Sequence, residues 1–501
     1  MRQLIAGVVR GARDGAAALA DANGLIGACP QERATRVRNG GGASAAWPNE
    51  AIDLLLQRLG RTRADIGRYV VADGDDLSSA GVDAERIGHD VAHAATAYLT
   101  SPFASSIVVV CDHDSPSVSV WTGEAASLSQ VSWPWPGGGF ADALSRIAAA
   151  VTSHATVADQ RLEALARLQP DARDPAFEAL VSRNSEGILV DRSLDDRIAE
   201  RLAGDRDPGS RQRTCLAAGL QARIGDLLLE FLGEVQRQTG ATRLCLGGSL
   251  FYRSKINTMV KQSGLFDDVF IPVDPGNRGL AVGAALRALG RGQSRMSPFA
   301  GPSYGPEETK GILDNCKLNY SWVSEEGAVS AAVEALRAGR LVGWFDGPME
   351  WGPRALGARC ILANPTAPYV LENLNRFLKQ REPWRGYALS GLQESVSAHF
   401  DGPAAAPFME CDYRPRQPER WSDALPSPGA SVRLQTVGHD GLPQFRRLLE
   451  VFGESTGLPF LVNTSFNGFH EPIVCSPRDA VRVFYGSGLD LLVINQFLVR
   501  K

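Results

Sequence analysis

Histidine is scarce in this chain, with seven in 501 residues, yet three of the seven fall between His89 and His113. Cysteine pairs are missing altogether. The eight cysteines, Cys29, Cys111, Cys215, Cys245, Cys316, Cys360, Cys411 and Cys475, are scattered singly. No C-x-x-C spacing means no zinc ribbon and no disulfide frame, so they read as small apolar residues of a reduced, cytoplasmic protein. No run approaches the roughly 20 apolar residues that span a bilayer. The first apolar stretch is broken by Arg10, Arg13 and Asp14, which does not fit a secretory leader. A soluble protein with no membrane partner is the expectation. An excess of one charge is also lacking. The net charge is −4, which argues against a general nucleic-acid binder. Low-complexity tracts and internal repeats are not evident.

What is present is a soluble globular composition, 44% hydrophobic and 22% charged, on a chain too long for one ordinary core. Two or three domains are expected. Apolar stretches at Leu4–Val9 and Ile107–Val110 read as strands. A helical periodicity over Gln212–Gly240 runs into a short strand at Arg243–Leu246 and a Gly247–Gly248 turn. Helix is expected again at Glu325–Arg337 and strand at Leu341–Phe345. This alternation predicts layered α/β units. The proline- and glycine-bearing stretch Gly290–Asn319 reads as a connector, with a domain boundary near residues 300–322.

Two clusters suggest chemistry. Between Gly347 and Arg385 stand Arg354, Arg359, Arg376, Lys379, Arg381 and Arg385, interleaved with glycines and prolines. Glycine lets a backbone approach an anion, and guanidinium grips phosphate oxygens bidentately. The alternative is an ordinary solvated face. Asn463, Thr464, Ser465 and Asn467 follow the apolar strand Leu458–Val462, where small polar side chains at a strand end suit ligand binding. A helix cap is the alternative there. In the N-terminal half, His89 and His93 are four residues apart, on one side of a helix, and Asp112 follows a strand. Two imidazoles and a carboxylate suit non-haem iron, with zinc as competitor. Helix capping by His89 and core packing of His93 is the reading without a metal.

The string "MEWGPRALGARCILANP" at Met349–Pro365, followed by "LNRFLKQREPWRGYAL" and, at Leu461–Val474, "LVNTSFNGFHEPIV", resembles bacterial O-carbamoyltransferases of the nodulation and antibiotic type. "HDVAHAATAYLTSPF" at His89–Phe103 is similar to that family's paired-histidine motif. "QERATRV", with Glu32, Arg33 and Arg36, resembles an early segment of it. The resemblance implies an actin/hexokinase-type (ASKHA-like) carbamoyl-transfer domain over residues 1–305, a connector at 306–322 and a YrdC-like domain over 323–501. It implies that the latter joins carbamoyl phosphate and ATP, with Mg2+, into carbamoyl-adenylate. Arg354, Arg359, Lys379, Arg381 and Arg385 would then hold phosphates. Asn463, Thr464, Ser465, Asn467, Gly247, Gly248 and Arg36 would bind nucleotide or substrate. His89, His93, Asp112 and Asn277 would hold Fe2+ or zinc, and Asp14, His93 and Asp112 would serve transfer to a small-molecule hydroxyl. Several positions depart from the family pattern. Asn277 stands where a carboxylate is expected, Arg13 replaces a histidine, His113 a glycine and Tyr252 an asparagine, and Glu163 lies in an altered segment. Transfer to an amine, or a degenerate nucleotide-binding paralogue, are the competing readings.

Overall fold

A computed structural model describes residues 3–11, 14–40, 47–72, 82–115, 117–132, 139–153, 158–185, 187–290 and 296–501. Ala12, Arg13, Gly41 and Gly42 lie outside the described residues. The chain begins with β1 (Leu4–Val9), β2 (Ala16–Asp21), β3 (Gly24–Pro30), β4 (Ile66–Ala72) and β5 (Ala84–Ile87). They form one sheet in the order β3-β2-β1-β4-β5. The first three strands are an antiparallel meander, and β4 and β5 add on in parallel. Every residue of β1 is buried, because helices cover both faces. Leu4, Ala6 and Val8 pack with the Asn49–Arg58 helix, while Ile5 and Val9 pack with the Leu280–Leu289 helix.

A second sheet repeats this plan. It uses β6 (Ser105–Val110), β7 (Ser119–Glu124), β8 (Ser127–Val131), β11 (Arg243–Gly247) and β12 (Asp268–Phe270), in the order β12-β11-β6-β7-β8. Here too a three-stranded meander is extended by two parallel strands. A small hairpin of β9 (Val181–Asn184) and β10 (Gly187–Val190) lies between them in sequence. The duplication agrees with the actin/hexokinase-type half that the resemblance implies, although no repeat is readable in the residues. The His89–Leu99 helix shares one core with the Leu280–Leu289 helix and with residues of both sheets. Their approach depends on small residues. A Cβ on Gly283 would stand 2.2 Å from the Ala92 carbonyl oxygen, and one on Gly7 2.0 Å from that of Ala281.

The third sheet holds β13 (Tyr320–Trp322), β14 (Val342–Phe345), β15 (Arg359–Ala363), β16 (Ala388–Leu392), β17 (Phe400–Asp401), β18 (Cys411–Pro415), β19 (Val432–Val437), β20 (Phe460–Ser465), β21 (Leu491–Ile494) and β22 (Phe497–Arg500). Its order is β13-β22-β21-β14-β15-β20-β16-β19-β18-β17, mixing parallel and antiparallel neighbours. The helices Glu325–Arg337 and Pro443–Thr456 share a core with one face. The molecule is thus mixed α/β, as expected. Two local readings need correction. The stretch read as an irregular connector contains a helix at Pro306–Asn315, started by Pro306 at its first position, and the edge strand β13 follows it directly. Asn463–Ser465 begin no helix; they finish β20, paired to β15.

Candidate functional site

The paired histidines and Asp112 come together. His89 and His93 occupy successive turns of the helix that runs between the two N-terminal sheets, and β6 delivers Asp112 just past its end. His89 Nε2 lies 3.3 Å from Asp112 Oδ1, His93 Nε2 3.5 Å from Asp112 Oδ2, and the two Nε2 atoms 3.1 Å apart. Donor atoms of all three residues fall within 4.8 Å of one another. Burial pushes the His93 pKa down to about 4, which keeps the imidazole neutral and its lone pair available. Burial alone would raise the Asp112 carboxyl. The hydrogen bond from His89 and the neighbouring His93 instead hold it well below the usual carboxylate range.

The backbone fixes this carboxylate. The Ser249 N–H donates to Asp112 Oδ2 at 2.7 Å and the Asp114 N–H to Oδ1 at 3.0 Å. Ser249 can do so because Gly248 adopts φ 102°, where a Cβ would stand 2.2 Å from the Cys111 carbonyl oxygen. The Gly247–Gly248 turn is therefore a support of the trio. Asn277 lies beside His93. Its Nδ2 donates to Asp114 Oδ2 at 2.6 Å, and its Oδ1 is buried without a hydrogen-bond partner. The neutral His93 imidazole, the His89 imidazole, an ionised carboxylate and an unsatisfied amide oxygen form a donor set that fits a divalent transition metal. His113 sits at the rim, with Nδ1 2.9 Å from Ser249 Oγ.

Asp14 belongs to a neighbouring buried group. Tyr252 donates its hydroxyl proton to Asp274 Oδ1, and Arg278 pairs with Glu32 at 2.9 Å and Asp274 at 3.7 Å. Asp274 is fully buried and its carboxyl is raised, first by burial, with the Asp14 charge adding to the effect. Neither Tyr252 nor Asp274 was singled out as a site residue by spacing; the signal was only the departure at Tyr252.

The arginine-rich loop lies at the seam between the two halves. Arg33, buried, donates to the carbonyls of Glu350 and Gly352. A Cβ on Gly352 would stand 2.7 Å from the Val273 oxygen, so only glycine allows the loop to approach so closely. Glu350 organises the loop from below. Its fully buried Oε1 accepts from the backbone N–H groups of Leu356, Ala358 and Arg359 at 2.7, 2.8 and 3.1 Å. Asn463 also supports it, donating to the Ala355 carbonyl at 3.1 Å and to Ser390 Oγ at 2.8 Å.

The arginines of the loop have different surroundings. Arg359 is fully buried, donates to the carbonyls of Asp346, Gly347, Ala358 and Pro302, and lies 3.5 Å over the Phe345 ring. Its donors tie the chain together, so it is not open to phosphate as the sequence reading expected. Arg36 is likewise taken up, by the carbonyls of Pro472 and Ile473 and by Asp479 at 3.3 Å. Arg354 differs. Among the described residues no oxygen accepts from its guanidinium, and burial together with Arg433 pushes its pKa down to about 9.

Around Arg354 a buried ionic group crosses the seam. Glu163 accepts from the Ser254 N–H at 3.1 Å, from Arg167 at 2.8 Å and from Arg433. Arg167 also reaches Asp412 at 3.0 Å. Farther out, Lys379 Nζ donates to the Ser465 carbonyl at 2.7 Å and to Asn467 Oδ1 at 2.7 Å, joining two separate sequence motifs. Burial, then Arg381 and Arg38, hold the Lys379 amine well below its ordinary range. Burial and Arg381 push Arg385 down to about 10. Thr464 is the last residue but one of β20, paired with Ile361 of β15.

Comparison with known proteins follows these elements. The family model for the carbamoyltransferase N-terminus matches residues 186–286, and that for the carbamoyltransferase C-terminus matches residues 333–501, together just over half of the chain. Nodulation protein NolO of Bradyrhizobium diazoefficiens is 35% identical over 305 residues, covering 59% of this chain and 56% of its own length. Nodulation protein U of Rhizobium fredii is 32% identical, covering 46% of this chain and 38% of its own. The chain therefore spans about half or less of the length of these relatives. An uncharacterised Synechocystis protein is 27% identical over 82% of this chain and 75% of its own length. Among solved structures, full-length HypF in a phosphate- and nucleotide-bound form aligns with TM-score 0.40 and 13% identity, over 57% of this chain and 55% of that one. No helix among the described residues is long and apolar enough to cross a membrane. By its two matching domains, this chain is a member of the carbamoyltransferase family.

Proposed function

We propose that the chain is an ATP-dependent carbamoyltransferase that makes carbamoyl-adenylate and passes its carbamoyl group to a hydroxyl of a small molecule. Arg354 carries this reading. A largely buried guanidinium with no acceptor is costly unless an anion completes it, and Arg354, Arg433 and Arg167 together outnumber the carboxylates of Glu163 and Asp412. The first step balances as carbamoyl phosphate, ATP and water giving carbamoyl-adenylate, phosphate and pyrophosphate. Arg381 and Arg385 crowd together in the YrdC-like half, beside a Lys379 amine already bonded to Ser465 and Asn467, and added phosphate would relieve their mutual repulsion. The mixed anhydride would cross the buried seam past Arg354 away from water.

In the second step the acceptor oxygen bonds to the carbamoyl carbon, the bond from that carbon to the adenylate oxygen breaks, and AMP leaves. His89, His93, Asp112 and the Asn277 oxygen would hold an iron or zinc ion, which supplies Lewis acidity when bound. Asp112 keeps the histidines oriented, and Asp14 is the base proposed to accept the acceptor's proton.

The test is carbamoyl-phosphate-dependent exchange of labelled pyrophosphate into ATP. Exchange is expected in the wild type and should fall by roughly 10²-fold or more in Arg354→Ala. Incubation with hydroxylated acceptors should add a carbamoyl mass to one of them. No exchange in the wild type would refute the adenylation step.

A further inference from the structure

The turn that follows β6 carries a carboxylate that the trio does not use. Asp114 stands two residues past Asp112, at the rim, with its side chain 48% exposed. It reaches the donor set twice. Its N–H donates to Asp112 Oδ1 at 3.0 Å, and its Oδ2 accepts from Asn277 Nδ2 at 2.6 Å. Its other oxygen lies 3.3 Å from His113 Nε2, on a ring whose Nδ1 is 2.9 Å from Ser249 Oγ. One residue thus links the carboxylate at the end of β6 to an amide from a distant part of the chain.

Asn277 depends on that link. Its backbone is fixed without it, because Asn277 opens a short turn, Asn277–Gly279, in which the Gly279 N–H donates to the Gly276 carbonyl at 3.0 Å. A Cβ on Gly276 would stand 2.4 Å from the Tyr252 hydroxyl oxygen, and one on Gly279 2.1 Å from the Asp274 carbonyl oxygen. None of this orients the amide. The terminal torsion of asparagine is broad, and its two ends have nearly the same shape but opposite hydrogen-bonding character. Turned one way, the amide offers an oxygen that can bind a cation. Turned the other way, it offers N–H groups that cannot. A carboxylate settles the choice, since it accepts from the N–H and repels the oxygen. Asn277 Oδ1 is thereby left buried and without a partner, beside His93.

Charge points the same way. Asn277 brings none of its own, so Asp112 is the anionic member of the donor set. A divalent cation held by one carboxylate keeps a positive charge in a largely buried place, which is costly unless balanced. Asp90 adds negative charge near His93 through space. Asp114 does more, because its hydrogen bond also polarises the amide and makes Oδ1 the better donor. We infer that Asp114 is a positioning residue of the metal site, turning the Asn277 oxygen into the donor set and supplying the negative charge that a neutral amide lacks. The inference rests on the metal site proposed above and assigns to it a residue outside the four donors.

The test is titration of the chelator-treated full chain with Co2+, followed by the visible absorption of the bound ion. The wild type is expected to bind one equivalent. Asp114→Asn keeps the shape and removes the charge, and should bind Co2+ about 10-fold more weakly. Asp114→Ala also frees the amide to turn, and should bind about 100-fold more weakly. Combining Asp114→Asn with Asn277→Asp moves the carboxylate onto the donor and the amide behind it, which should return the affinity at least to the wild-type value. Because Asp114 is exposed, all these variants should keep the wild-type melting temperature without metal. Equal affinity in the wild type, Asp114→Asn and Asp114→Ala overturns this inference and leaves the metal site standing. Weakened single variants that the exchange does not restore overturn it too, since a merely structural loss would behave so. A wild type that binds no Co2+ overturns the metal site and this inference with it.

Discussion

Asp346 lies just past β14, facing the Arg359 guanidinium that lends so much order to the loop above it. Burial raises its carboxyl to about 6, despite the attraction of Arg359. A free aspartate ionises near 3.8. Between these values the folded chain holds a proton that the unfolded chain has released, so stability falls as pH rises through this window. Above pH 6 the penalty is complete, on the order of 1–3 kcal/mol. Asp346→Asn should therefore raise the urea midpoint at pH 8 and do little at pH 4. An equal gain at both values would contradict the burial argument. The same neighbourhood shows what single residues reveal in advance. Arg354 and Arg359 look alike in sequence, five positions apart in one glycine-rich segment. Which one is free depends on carbonyls from Pro302 and Gly347 that close in only when the chain folds. By contrast, His89, His93 and Asp112 were readable, because a four-residue helical spacing and a strand end are local geometry.

Elements bring those local signals into register. The helix bearing both histidines is held at a fixed depth by its crossing with the Leu280–Leu289 helix, where Gly283 meets Ala92 and Thr96. Gly283→Ala would drive a Cβ to within 2.2 Å of a backbone oxygen and 2.4 Å of Thr96 Oγ1, and neither helix can move without disturbing a sheet. A loss of roughly 3 kcal/mol or more is expected, near the upper range for overpacking. If the proposed metal is held by His89, His93 and Asp112, the variant should also retain less of it, because His93 moves with its helix. Full metal content in a destabilised Gly283→Ala protein would separate the crossing from the site. Strand and helix positions were largely legible from periodicity. The duplicated sheets were not, since hydrogen-bond order between distant strands leaves no repeat in composition. The Pro306–Asn315 helix was masked by prolines that signal a break but in fact start it. The π-helical turn at Asn373–Lys379 has no sequence signature of its own.

At the scale of the whole molecule, the halves are joined by charge as much as by apolar contact. Glu163 stands 5% exposed, accepting hydrogen bonds from Ser254 and two arginines that belong to opposite sides of the seam. Burial alone would raise its carboxyl, but Arg167, Arg433 and Arg253 hold it far below the usual range. A depressed carboxylate lends stability above its unfolded pKa, near 4.5, and that stability is lost as pH falls through the folded value. At neutral pH the network is therefore complete. Glu163→Gln keeps the shape but leaves Arg167, Arg433 and Arg354 facing one another with only Asp412 close by, a loss of about 3–5 kcal/mol. That loss falls on the contact between halves rather than on any sheet. Calorimetry should accordingly show one cooperative transition in the wild type resolving into two in Glu163→Gln. Because the anion site proposed at Arg354 spans the same seam, a saturating polyanion should draw the two transitions back together. A single transition merely shifted to lower temperature would mean that the sheets, and not the ionic seam, set the cooperativity of this chain.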